Sequence, residues 1–128
     1  MNTNYTSKIS DSSKELTTRE KIKLKDLTTA IAIDKVVEPE KSLVIEPDFY
    51  AWVDIHNEKL PENEQDYKTM VIVDKGGAKY YTGSSSAITS FVDIFGEMSE
   101  TGESFEVEFS KKESKNFGGK FFITCTLV

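Results

Sequence analysis

The sequence predicts a mainly β fold, a five-stranded barrel with one helix between its third and fourth strands, preceded by an N-terminal satellite segment. Three observations predict it. Leu43, Ile45, Pro47, Phe49, Ala51, Val53 and Ile55 hold every second position, the period of a strand with one buried face. Ile88, Phe91, Val92, Phe95 and Met98 recur at three- and four-residue steps, the stripe of a helix. Phe105, Val107 and Phe109, then Phe121, Ile123, Cys125 and Leu127, alternate with their neighbours as two further strands.

The 128 residues suit one domain, and 38% hydrophobic with 30% charged residues is a globular composition. Residues 1–15, rich in Ser, Thr and Asn with little that is apolar, are expected to remain a disordered tail. Residues 16–40 are read as the satellite segment packing on the barrel, and 41–128 as the barrel itself. Thr17-Thr18-Arg19-Glu20 matches a capping box, so a short helix is expected near Thr18. Lys25 to Glu40 fits neither period.

The first barrel strand is long, and Pro47, which lacks an amide proton, requires a bend or an edge there. Its opposite face carries Tyr50, Trp52, Asp54 and His56. A polar loop, 57–66, leads to a second strand over 67–74, whose MVIV centre is apolar on both faces. Asp74-Lys75-Gly76-Gly77 is a tight-turn signal into a third strand, 78–82, where Tyr80 and Tyr81 must face opposite ways. Ser84 or Ser85 is expected to cap the helix, which ends between Ser99 and Gly102.

This order matches the oligonucleotide/oligosaccharide-binding (OB) barrel, although an SH3-like barrel or an open sheet with one helix uses a similar inventory. In an OB barrel the ligand lies across strands two and three, between the loops that join strands one to two and four to five. Those loops are 57–66 and 111–120.

The net charge of −6 disfavours a general polyanion binder, but the charge is segregated. Residues 1–25 carry +3, 26–66 carry −8, and 110–120 carry +3. The second loop therefore offers Lys111, Lys112, Lys115 and Lys120 for phosphates and Phe117 for a base. Tyr50, Trp52 and Tyr81 are further stacking candidates, and Lys68 and Lys79 further cations. The plain alternatives are a solvated lysine loop, and a satellite segment that covers Tyr50 and Trp52. The acidic first loop would repel a backbone lying over it.

The stretch KYYTGSSSAITSFVDIFGEM, followed by SKNFGGKFFITC, resembles the small single-stranded-DNA-binding proteins of tailed phages and of mobile elements of Gram-positive bacteria. The resemblance covers about the C-terminal half, with SLVIEPDFYAWVDIHN compatible. It implies binding of exposed strands during replication or recombination, with proteins of those processes as partners; self-association is left open.

No nucleophile elbow, phosphate-binding glycine-lysine loop, zinc-ligand set or dinucleotide fingerprint is present, so neither an enzyme nor a metal or cofactor is expected. Asp54 and His56 share a face without a third ligand. The lone Cys125 cannot form an internal disulfide, no charged-then-apolar leader opens the chain, and no apolar run nears the ~20 residues of a membrane span. The expectation is a cytoplasmic protein of a bacterial host cell with no membrane partner. The competing expectation is a protein-interaction module that uses the acidic region 26–66, and a third is glycan binding through Trp52 and the tyrosines.

Overall fold

A computed structural model describes residues 5–114 and 118–128. The chain is mainly β, in two sheets. Its strands are β1 (Tyr5–Ser12), β2 (Ile31–Ala32), β3 (Leu43–Ile45), β4 (Pro47–Asn57), β5 (Asp66–Asp74), β6 (Lys79–Thr82), β7 (Val107–Glu113) and β8 (Phe121–Leu127). Its helices are α1 (Thr18–Lys25), α2 (Ile33–Val36) and α3 (Ser85–Thr101), the last lying between the β6 and β7 strands as expected. One sheet runs β1-β4-β5-β6-β2 and the other β3-β7-β8.

The expected long first strand breaks at Pro47. Leu43–Ile45 pairs with β7 in one sheet, and Pro47–Asn57 pairs with β5 in the other, so this one stretch passes from sheet to sheet. A proline cannot donate to an unbroken ladder, which is why the hand-over falls there.

The expected five-stranded barrel is an arrangement of eight strands that does not close among the described residues. The edge of β6 away from β5 is taken by β2, which pairs parallel through Ile31 with Tyr80 and Ala32 with Tyr81. Strand β8 turns to α3 instead, where Ser86 Oγ donates to the Ile123 carbonyl at 2.7 Å.

Residues 5–12 are a strand where the sequence reads as a tail. They pair antiparallel with β4 from Tyr5 opposite Asn57 to Ser12 opposite Ala51, with a bulge between Ile9 and Asp11. Backbone hydrogen bonding, not apolar burial, holds this polar edge strand, since only Ile9 reaches a core cluster.

The five-stranded sheet is covered on both faces. Met70 and Ile72 of β5 join Phe91 of α3 and Phe109 of β7 in one cluster; Val71, with Phe49, Ala51 and Val53 of β4, meets Leu16 and Leu24 of the N-terminal segment in another. This two-sided burial explains the continuous apolar run MVIV. It also overturns the outward placement of Tyr50 and Trp52. Their face of β4 turns to α3, and the Tyr50 ring meets Phe91 and Phe95 edge-on at 5.6 and 5.1 Å.

Local signals set the remaining turns. Thr17 accepts from the Glu20 amide while Glu20 accepts from the Thr17 amide, the reciprocal capping box that starts α1. Gly77 takes φ 91° in the β5–β6 turn, and Gly102 takes φ 73° where α3 stops. Ser84 is the residue before α3, but its side chain makes no capping bond. Its hydroxyl faces that of Ser86 instead.

Candidate nucleic-acid interface

The β7–β8 hairpin carries most of the expected basic residues. Lys111 lies opposite Ile123 and Lys112 opposite Phe122, and beyond them the hairpin outruns the core. Phe121 is 50% exposed and Phe122 41%, although the alternation assigned Phe121 to the buried face. The alternation itself is real, because Ile123 and Cys125 are buried. It simply extends past the point where the core ends. Lys111, Lys112 and Lys120 make no ion pair among the described residues. Lys115 and Phe117 lie outside the described residues.

The hairpin is linked to the end of β6 through the start of α3. The Ser86 bond to Ile123 ties β8 to the first turn of α3, and the Ser84 amide donates to Thr82 Oγ1 at 3.0 Å. Thr82 in turn donates to Asp34 Oδ1 at 2.6 Å, which fixes α2 beside it. Around Thr82, an open pocket is lined by Lys35, Tyr67, Lys68 and Tyr81. Two expected residues, Lys68 and Tyr81, thus come together with two that the sequence did not single out.

Strand register assigns the faces. Residues opposite one another in a ladder share a face, and alternate residues along a strand do also. Tyr67 is opposite Ile55, and Tyr81 opposite Val71, so both lie on the face that bears Val53 and α1. Tyr5, opposite Asn57, lies there as well. Tyr5 is 41% exposed and Tyr67 42%. Burial first, then the phenols of Tyr67 and Tyr81, raises the Tyr5 hydroxyl above the ordinary tyrosine range. The three tyrosines thus share one face of the sheet.

Other expected residues are engaged elsewhere. Tyr50 sits against the α3 aromatics, and its hydroxyl is raised by burial and then by Asp11. Trp52 is half-buried and shares an open pocket with Ser10, Asp11 and Lys68 on the opposite face from Tyr81. Lys68 lies 3.7 Å from Asp54 Oδ1, an exposed pair of little energetic weight. Lys79 donates to two carbonyls at the end of α1, so its charge is already engaged.

The acidic 57–66 loop is closed on itself. His56 Nδ1 lies 2.8 Å from Asp66 Oδ1 and Nε2 lies 3.5 Å from Glu58 Oε1. The hydrogen bond to Asp66 above all, then Glu58, raises the imidazole above its usual range. Asp54 takes no part in this contact. Among the described residues, no group of three or more potential metal ligands is found, and no helix is long and apolar enough to cross a membrane.

No protein-family model matches the chain, and no curated protein or solved structure is significantly similar to it.

Proposed function

We propose that the protein binds single-stranded DNA without sequence preference, as an OB-type module whose barrel is held open by β2. The observation that carries this reading is the β7–β8 hairpin, which projects exposed Phe121 and Phe122 beside Lys111, Lys112 and Lys120. Flat rings accept any base by stacking, and ammonium groups neutralise phosphates, which together give sequence-tolerant binding of an unpaired strand. The pocket of Tyr67, Lys68 and Tyr81 offers the same chemistry on the five-stranded sheet. Trp52 and Tyr50 are not needed by it.

The role is that of a strand-holding protein in replication or recombination, in line with the resemblance to the small proteins of phages and mobile elements. No catalytic step is involved. Titration of a fluorescent oligothymidine by anisotropy across a salt series tests the reading. Binding at low salt that weakens linearly in log affinity against log salt is expected. Absence of binding at low salt removes the reading and favours a protein-interaction module presenting the exposed carboxylates Glu58, Glu62, Glu64 and Asp66.

A further inference from the structure

Helix α1 carries Arg19, Lys21, Lys23 and Lys25 against a single acid, Glu20. That acid is already paired with Lys14 at 3.1 Å. All four basic side chains are exposed, and none makes an ion pair among the described residues. Lys23 and Lys25 suit the negative end of a helix dipole, but Arg19 and Lys21 sit nearer its positive end, where a cation gains nothing. Helix stability alone does not call for this charge.

The placement of α1 is equally specific. Leu24 anchors it to the face of the sheet that bears Val53 and Val71. Lys79 holds its last turn, and Ser7 Oγ of β1 donates to the Lys25 carbonyl at 3.4 Å. Ser7 and Tyr5 are alternate residues of one strand, so both point to this same face. The C-terminal end of a basic helix therefore lies one side-chain repeat from an exposed tyrosine, which shares its sheet face with Tyr67 and Tyr81.

We infer that the N-terminal segment from Tyr5 to Lys25 forms the second half of the strand-binding surface. Tyr5 adds a stacking ring to Tyr67 and Tyr81, and Lys21 and Lys25 neutralise the phosphates that flank it. This rests on the proposed single-strand binding and names a part of that interface which the hairpin does not supply. On this face the bound strand would run over the tyrosines to α1, on the side of the sheet away from the one on which the hairpin's sheet packs.

The test compares wild-type protein with K21E/K25E, Tyr5→Leu and the hairpin variant K111E/K112E, using a labelled oligothymidine across a salt series. For K21E/K25E we expect weaker binding and a log-log salt slope lower by about 1 to 1.5, from two lost single-strand phosphate contacts. Tyr5→Leu should weaken binding about ten-fold at every salt concentration. Photocrosslinking of wild-type protein to an iododeoxyuridine-substituted strand should yield an adduct at Tyr5, a readout independent of any variant's folding. Wild-type protein that binds, with an unchanged slope in K21E/K25E and no adduct at Tyr5, overturns the inference while the hairpin reading stands. Wild-type protein that does not bind overturns both.

Discussion

Lys79 of β6 donates from its ε-ammonium to the carbonyl of Lys23, at 2.7 Å, and to that of Asp26, at 2.6 Å. A cation rooted in the sheet thus adds a second donor to the Lys23 carbonyl, which also accepts from the Asp26 amide, and holds the Asp26 carbonyl just past the helix. The contact fastens a helix that has little else to hold it, since Leu24 is its one buried side chain.

Replacing that cation should loosen the helix selectively. Lys79→Met keeps the aliphatic stem but loses both hydrogen bonds, so a loss of about 1–2 kcal/mol is expected. Urea unfolding measures the loss. Amide exchange should accelerate in α1 more than in β4 and β5, and equal acceleration in all three would contradict a local clamp.

Tyr50→Ala should behave as a core substitution. Its ring lies edge-on to Phe91 and Phe95, so ~2–3 kcal/mol of stability is expected to go. Oligothymidine affinity of the folded variant should match wild type. A variant that stays stable but binds poorly would return Tyr50 to the interface.

His56 should titrate above the usual histidine range, because Asp66 and then Glu58 favour its charged form. A folded pKa raised above the unfolded value contributes stability that is fully present below the unfolded pKa, about 6.5, and is lost as pH rises through the folded pKa. NMR titration of the single imidazole gives the shift directly. His56→Gln should remove this contribution to the pH dependence, and an imidazole titrating below 6.5 would refute the clip.

Cys125 is buried and its thiol is pushed up to about 12 by burial. Native protein should therefore resist a soluble thiol reagent at pH 8 and react promptly once unfolded. Prompt reaction of folded protein would show that β8 opens locally.

What the sequence discloses and what it hides divide along physical lines. The Thr17–Glu20 capping box and the Asp74–Gly77 turn are legible because their hydrogen bonds join residues close along the chain. The break at Pro47 is legible because a missing amide proton has the same consequence in any sheet. Strand β1 is not, since its stability lies in backbone pairing with residues far along the chain, and backbone pairing leaves no apolar period. The direction of Tyr50 is hidden for another reason. Both faces of β4 are covered, so both parities carry large side chains and alternation no longer tells core from surface. Exposure of Phe121 and Phe122 likewise depends on where the second sheet runs out, a property of the assembled fold and not of the strand.

The pairing of Tyr5 with Asn57 also orders events in time. Synthesis delivers β1 and α1 before β4 exists, so the N-terminal segment emerges without the surface that will receive it. Its strand can be added only after residues 47–57 have been made, and the β7–β8 hairpin of the other sheet comes later still. Contacts of such sequence separation slow folding, because the chain must close long loops before any of them is rewarded. A nascent chain stalled before residue 47 should accordingly leave its first twenty-five residues open to protease, and one that has released residue 74 should begin to shield them.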